Sequence, residues 1–244
     1  MTLEERLDRL EAENGALRRD LTALEHERAV RRLHHAYGYF MDKWLFPEIV
    51  NLFAEDVTLC FLNGIFRGRA GAERMYGYAG PGVRGPRDGL LFEHMLMQDM
   101  IEIAPDGMSA RGRFHAFMFV AVHDSVREQY PGWPAQFWEG GVHLNEYRND
   151  DGVWKIAKFD YHISHQADYA TGWAGAPAGP LMVRPFAGTF PDVAGGPDEL
   201  RPMPPQWPRA TFPPFFFRHP VTGRPIEGVD GAGMLDRGED DGRP

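Results

Sequence analysis

Polar side chains at alternating positions of predicted strands are the residues of this chain whose types and spacing suit acid–base chemistry. One set is His143, Asn145 and Tyr147, and another is the even-numbered positions of Asp160–Gln166. Because alternate residues of a strand share a face, each set points to one side of a sheet. Polar groups on otherwise apolar strands are costly unless they are hydrogen-bonded or face a pocket. These sets predict a polar pocket with apolar walls.

Two further candidates lie on a predicted helix. Tyr37 and Asp42 are five residues apart, which places them about 140° apart around the helix axis. Asp42 lies near the helix end, where the helix dipole disfavours a carboxylate. The pattern alone therefore leaves two interpretations open, a specific partner for Asp42 or a solvated helix-end residue. His34 and His35 lie on the same helix, and we expect them at the surface.

Other chemistries find less support in the spacing of the residues. His162 and His165 would point to opposite faces of one strand, so they do not form a local metal-ligand pair. The glycines follow neither the dinucleotide-binding nor the phosphate-loop spacing, and no nucleophile elbow is present in the sequence. We expect no cofactor and no metal, while a metal site assembled from distant segments stays open.

Composition limits the class of partner. The formal net charge of −9 argues against nucleic acid, because phosphate binding needs clustered Lys and Arg. The single cysteine, Cys60, fits a reducing compartment. The sequence starts without a signal-peptide core, and its longest apolar run, Ala116–Val122, is far short of a membrane span. We expect a cytoplasmic protein that binds neither nucleic acid nor membrane.

The chain divides by composition into three parts, residues 1–28, 29–170 and 171–244. In the first part, leucines recur with the a/d spacing of a heptad repeat, which predicts a coiled-coil helix for a homodimer or homotrimer. The alternative is an amphipathic helix that folds onto its own domain. The seam consists of Leu3, Leu7, Leu10, Asn14, Leu17, Leu21 and Leu24.

The second part carries helix-like segments first and long strand-like segments afterwards. This order predicts an α+β fold, a cone-shaped curved antiparallel sheet with helices packed on one face, whose mouth holds a small ligand. The predicted helices are 29–43, 47–53 and 70–78, and the predicted strands are 57–62, 93–103, 109–124, 137–147 and 153–166.

The third part, residues 171–244, holds 14 of the 20 prolines. Proline at this density excludes a regular helix or sheet. Aromatic residues, among them Trp207 and Phe215–Phe217, distinguish this part from a disordered composition. We expect an extended arm that wraps over its own domain or over a neighbouring subunit, and the alternative is a partly ordered tail.

Two segments and the order of the elements resemble a known family. Asn149–Ile156 reads NDDGVWKI, and Leu52–Val57 reads LFAEDV. Both are similar to motifs of the SnoaL-like branch of the NTF2-like superfamily, and the resemblance covers about residues 29–166. It implies the cone-shaped fold more strongly than any one function, because that fold hosts dehydratases, isomerases, cyclases, epoxide hydrolases and binding modules.

The resemblance also implies a site. In scytalone and bile-acid dehydratases, an aspartate near the end of the first long helix pairs with a histidine that opens the first long strand. Asp42 and His94 match these positions, and Tyr37 matches a tyrosine of the bile-acid enzymes. His143 falls where the scytalone enzymes carry a pocket asparagine. The chain departs from those enzymes at Phe61, which replaces a pocket tyrosine, and their second histidine has no clear counterpart.

These matches imply that Asp42, His94 and Tyr37 are catalytic and that His143 orients the substrate. The layout, with its aromatic arm, is similar to sphingomonad proteins that degrade lignin-derived dimers. We therefore expect a cofactor-independent lyase that releases formaldehyde from a diarylpropane diol and forms a stilbene. The alternatives are a dehydratase of a hydroxylated polycyclic compound, a hydrolase or isomerase, and a non-catalytic binding module. The expected wall of the aromatic pocket is Phe61, Phe117, Phe119 and Met97.

Overall fold

The computed structural model describes residues 1–77, 84–177, 179, 182, 184–209 and 213–226. In that part of the chain, helices and strands follow one another in the predicted order, helices first and a long meander after them. The elements are α1 (Leu3–Asp42), α2 (Phe46–Val50), β1 (Phe53–Phe61), β2 (Gly64–Arg67), α3 (Gly68–Tyr76), β3 (Leu90–Ile103), β4 (Ser109–Val122), β5 (Gln136–Asp150), β6 (Val153–Asp168) and β7 (Glu199–Leu200).

Helix α1 is continuous over 40 residues and joins the first two predicted parts of the chain. A capping box starts it, in which Thr2 and Glu5 each accept a hydrogen bond from the other's backbone N–H. The six seam leucines are 49 to 85% exposed, so the seam does not pack on the described part of its own chain. None of the described helices is long and apolar enough to span a membrane.

The seven strands form one sheet in the order β3-β4-β5-β6-β1-β2-β7. The predicted α+β fold, a curved open sheet with helices packed against it, is confirmed. All neighbouring strands are antiparallel except β1 and β6, which are parallel. Parallel pairing needs a long connection, and four strands and α3 lie between β1 and β6 in the chain.

The hairpin between β5 and β6 has the turn that its sequence predicts. Asp151 and Gly152 both adopt positive φ angles, of 51° and 89°, as a two-residue hairpin loop requires. The backbone N–H of Gly152 donates to the side chain of Asn149 at 2.8 Å. The loop thereby sets the register of the two longest strands of the sheet.

Some predicted boundaries are wrong. The second helix ends at Val50 rather than at residue 53, and Phe53 already begins β1. Strand β4 ends at Val122, because the side chain of His123 caps a short 3₁₀ helix by accepting from the Ser125 N–H. Strand β2 was not predicted, since its four residues are too few for a visible alternation.

Irregular pairing adds β-bulges to β3 and β6, and these change which side chains face inwards. Gln98 is an extra residue in β3, because Met97 pairs with His115 while Asp99 pairs with the next residue, Phe114. Ser164 is an extra residue in β6 in the same way. Each extra residue shifts the following side chains to the other face of the sheet. The predicted common face of the even-numbered positions of Asp160–Gln166 therefore ends at Ser164.

The described part of the arm lies on its own domain and begins along the edge of the sheet. Asn63 exchanges two hydrogen bonds with the backbone of Phe186, at 2.8 and 3.0 Å. Strand β7 then pairs with β2, so the expectation that the arm contains no sheet is wrong over these two residues. The pairing is available because β2 would otherwise leave one edge of its backbone without a strand partner.

The arm then crosses the outer face of the sheet, opposite α1. Arg201 binds the carboxylate of Asp160 on β6 at 3.1 Å. Farther along, Arg113 of β4 donates to the carbonyl of Pro213 at 2.9 Å and lies over the ring of Phe215. The arm thus contacts the sheet from one edge to β4, while residues 227–244 lie outside the described part.

Candidate active site

A cavity of about 780 Å³ lies between the inner face of the sheet, helices α1 and α3, and the arm. This volume is within the range of small-molecule sites. Most of the wall is aromatic or aliphatic, and the polar side chains on it are few. The polar groups that the next paragraphs use are Tyr37, His94, Glu139, His143 and Tyr161.

Asp42 and His94 form a close pair at the wall of this cavity. The Oδ1 atom of Asp42 accepts the backbone N–H of His94 at 2.7 Å and lies 3.1 Å from its ring Nδ1. Both side chains are largely buried, 25% exposed for Asp42 and 14% for His94. A carboxylate on Nδ1 fixes the tautomer in which Nε2 carries the free lone pair. Of the two interpretations of Asp42, the structure supports the specific partner.

Tyr37 is buried one and a half helical turns before Asp42 and lines the same cavity. The hydroxyl of Tyr76 on α3 donates to the hydroxyl oxygen of Tyr37 at 3.2 Å. Burial raises the pKa of Tyr37, so its hydroxyl keeps its proton at neutral pH. The side chain is therefore suited to donate a hydrogen bond to a ligand.

His143 lies deep in the cavity wall, with its ring 5.9 Å from that of Tyr37 and 4.4 Å from that of Tyr161. Burial, reinforced by the nearby imidazole of His94, lowers the pKa of His143 to about 3. Its Nδ1 atom has no hydrogen-bond partner among the described residues. A neutral ring with an unpaired nitrogen at a cavity wall is a ready site for a polar group of a ligand.

The other members of the predicted polar set have a structural role. Asn145 and Tyr147 both contact the Nδ1 atom of His34, at 3.2 and 3.1 Å. His34 is fully buried, so its expected surface position is wrong. It belongs to the buried stripe of α1 with Val30 and Met41, and the spacing of four and seven residues contained this signal.

The predicted aromatic wall is correct only in part. Phe61 lines the cavity, but Met97 and Phe119 lie on the outer face of the sheet, outside the described cavity lining. Phe117 touches the cavity boundary, whereas its ring packs 5.1 Å from Phe119 on the outer face. The reason is the alternation of side chains along a strand. Because His94 on β3 faces inwards, the odd-numbered residues of β3 before the bulge at Gln98, Met97 among them, face outwards. The missed wall residues are Phe66, Phe92, Trp133, Phe159, Met182 and Phe186.

A buried carboxyl group was also missed. Glu139 on β5 is 5% exposed and lines the cavity. It accepts hydrogen bonds from the hydroxyl of Tyr161 at 2.8 Å and from the side-chain amide of Gln166. Burial raises the pKa of Glu139. The signal was present, because Glu139 shares strand parity with His143 in a segment whose inward positions are otherwise apolar.

Comparison with known proteins identifies the family. The family model of the SnoaL-like domain matches residues 22–160, more than half of the chain. The chain belongs to this family. None of the curated proteins matches it.

Three of the solved structures with a similar fold are described next. LinA is 17% identical to this SnoaL-like protein with a TM-score of 0.50, over 62% of this chain and 95% of LinA. A scytalone dehydratase-like protein from Novosphingobium aromaticivorans DSM 12444 is 21% identical, with a TM-score of 0.48 over 61% of this chain and 90% of that one. The hexachlorocyclohexane dehydrochlorinase LinA-type3 from Novosphingobium barchaimii LL02 is 17% identical, with a TM-score of 0.48 over 62% and 94%. The likeness to LinA shows a shared fold.

Two arginines, Arg74 and Arg184, also line the cavity of this SnoaL-like domain. Arg74 of α3 forms an ion pair with Asp198 of the arm at 2.5 Å and lies over the ring of Phe190. Within the described ranges, no group of three His, Cys, Asp or Glu side chains is placed to hold a metal ion. The arrangement as it stands offers a general base, hydroxyl donors and a buried carboxyl group around an apolar space.

Proposed function

We propose that this SnoaL-like protein is a cofactor-independent lyase for an aromatic small molecule, with Asp42 and His94 as its acid–base pair. The observation that carries the proposal is the 3.1 Å contact between Asp42 and the Nδ1 atom of His94 at the wall of a cavity of about 780 Å³. The carboxylate orients the ring and leaves Nε2 to take a proton from the ligand. A positioned base of this kind contributes about 10²–10⁴-fold to a reaction rate.

The proposed reaction is the deformylation of a lignin-derived diarylpropane diol. Nε2 of His94 removes the proton of the hydroxymethyl O–H, and the carbon–carbon bond to that group breaks with release of formaldehyde. The electron pair of that bond forms the new double bond, and the benzylic hydroxyl group leaves with a proton as water. The products are a stilbene, formaldehyde and water, so atoms and charge balance without a redox partner.

The remaining cavity residues fit such a ligand. Aromatic walls contact the faces of aryl rings, and Phe61 and Phe159 supply them on neighbouring strands. Tyr37 donates a hydrogen bond to a phenol or to the departing oxygen, and His143, which lines the same cavity, orients the ligand. The family resemblance supports a dehydratase as the second candidate, because the same pair removes a carbon-bound proton equally well.

The test is an incubation of the purified protein with a phenolic diarylpropane diol in the presence of a chelator. We expect stilbene absorbance and formaldehyde to rise together in a one-to-one ratio. Asp42→Asn and His94→Ala are each expected to lower kcat by at least about 10²-fold. His35→Ala, a histidine on α1 outside the cavity lining, serves as the control and is expected to keep its activity.

Three results would contradict the proposal in different ways. Water loss without formaldehyde would favour the dehydratase. Tight ligand binding without turnover would favour a binding module. Near-full activity of His94→Ala would exclude the Asp42–His94 pair from the chemistry whatever the substrate is.

A further inference from the structure

The proposed reaction needs a proton donor for the departing hydroxyl group as well as a base. Glu139 lines the same cavity as His94 and lies two strands away from it in the sheet. The strand register runs from His94 to Met118, from Met118 to Glu139 and from Glu139 to Gln166. Directly paired residues share a face, and neighbouring strands are about 4.8 Å apart. His94 and Glu139 are therefore about 10 Å apart at the backbone and point to the same side.

The hydrogen bonds of Glu139 assign a role to each of its oxygens. The side-chain oxygen of Gln166 accepts the backbone N–H of Met182 at 3.4 Å, which turns the Gln166 amide group towards Oε2 of Glu139. Oε2 is therefore an acceptor. Oε1 lies 2.8 Å from the hydroxyl oxygen of Tyr161 and is the oxygen that can carry a proton. When Oε1 is protonated, this hydrogen bond runs from Glu139 to the Tyr161 oxygen instead of from the Tyr161 hydroxyl, which leaves the Tyr161 hydroxyl proton for a cavity ligand.

We propose that Glu139 and Tyr161 form a proton relay that protonates the departing hydroxyl group while His94 acts as the base. This inference rests on the proposed function. Tyr161 touches the ligand, and Glu139 acts through it. The Tyr161 O–H bond breaks as the leaving oxygen gains its proton, and the proton of Glu139 moves to the Tyr161 oxygen. Glu139 ends as a carboxylate that accepts from both Tyr161 and Gln166.

The charge change favours this relay in a dry site. In the proposed relay His94 gains the proton of the hydroxymethyl group while Glu139 gives up a proton towards the departing oxygen, so the net charge of the cavity is unchanged. Burial raises the pKa of both Glu139 and Tyr161, which favours the protonated form of each group. An isolated new charge at this depth would instead be costly.

Tyr37 is the other hydroxyl donor, but it is less suited to deliver a whole proton. The group that donates to Tyr37 is the phenol of Tyr76, whereas the group behind Tyr161 is a carboxyl. In water a carboxyl group is more acidic than a phenol by about six pKa units. The path through Tyr161 therefore supplies a proton at a lower free-energy cost.

Exchange of the leaving group tests the relay. We compare the diol with an analogue that carries fluoride in place of the benzylic hydroxyl, because fluoride departs without a proton. Glu139→Gln and Tyr161→Phe are expected to lose about 10²-fold or more in kcat on the diol. On the fluoride they are expected to stay within about fivefold of the wild type, since acid catalysis is no longer needed. His94→Ala is expected to be slow on both substrates, because both need the base.

If Glu139→Gln loses kcat equally on both substrates, Glu139 has a structural role and the relay is overturned. Full activity of Glu139→Gln on the diol would also overturn the relay. If the wild type is inactive on both substrates, the proposed function is refuted. Infrared spectra then test the protonation of Glu139 independently of activity. Infrared difference spectra of the wild type and Glu139→Gln at neutral pH are expected to show the carbonyl band of a protonated carboxyl. A carboxylate band in its place would overturn the neutral Glu139 on which the relay depends.

Discussion

Replacement of the buried His143 by asparagine is expected to change how stability depends on pH. An unfolded histidine has a pKa of about 6.5, while burial lowers the pKa of His143 in the folded protein to about 3. Between pH 7.5 and pH 5 the unfolded chain therefore gains nearly one proton that the folded chain does not. Since proton uptake by the unfolded state stabilises that state, the wild type loses about 2 kcal/mol of unfolding free energy through this residue.

The assay is urea unfolding at 25 °C, followed by tryptophan fluorescence at several pH values from 7.5 to 5. His143→Asn removes the titrating ring, so its unfolding free energy falls less steeply as the pH decreases. The advantage of the wild type over the variant is expected to shrink by about 2 kcal/mol over this range, whatever its size at pH 7.5. Phe159→Leu is the matched control, because it removes volume from the same wall without removing a titratable group.

The comparison has a clear negative outcome. If the difference between wild type and His143→Asn is the same at pH 7.5 and pH 5, the imidazole titrates alike in both states. It would then be in contact with water rather than buried and neutral. A parallel pH trend for Phe159→Leu and His143→Asn would lead to the same conclusion.

Three further predictions concern the helix seam and the arm. We propose that the exposed seam of α1 binds a second copy of the chain. The double variant Leu10→Glu with Leu17→Glu is therefore expected to have a lower mass by light scattering than the wild type. An unchanged mass would contradict this. A Cβ at Gly64 would lie 2.7 Å from the ring of Phe186, so Gly64→Ala is expected to move this wall and raise KM several-fold more than it lowers kcat. Arg113→Ala removes the contacts that hold the arm at Pro213, and limited proteolysis is expected to cleave the arm at least severalfold faster than in the wild type.

The features that the sequence predicts well are those with a local physical cause. The leucine spacing predicts a helix, and α1 begins at Leu3, the first seam residue, and continues beyond Leu24, the last one, to Asp42. The pair Asp151 and Gly152 tolerates positive φ and specifies the hairpin between the two longest strands. The contact between Asp42 and His94 was expected from the family resemblance, since no local pattern links residues so far apart.

The features that sequence analysis missed depend on contacts between distant segments. Nothing in the local sequence around Gln98 or Ser164 signals an extra residue, yet each bulge reverses the facing of the residues after it. Glu139 was overlooked for a related reason, because one of several polar residues on a strand gains meaning only from the partners across it. The arm follows the side chain of Asn63 and the edge of β2, and composition alone does not encode this path.

The cavity wall has two parts that tolerate mutation to different extents. The base, its carboxylate and the buried Glu139 lie on α1 and the sheet, where a change in size disturbs the packed core. Met182 and Phe186 reach the cavity from an irregular segment that is held mainly through backbone contacts and the side chain of Asn63. Mutations in that segment can reshape the cavity while the reacting groups stay in position. Relatives that share this chemistry are therefore expected to diverge in ligand preference first through the arm, and exchanging arms between them is a direct route to new substrates.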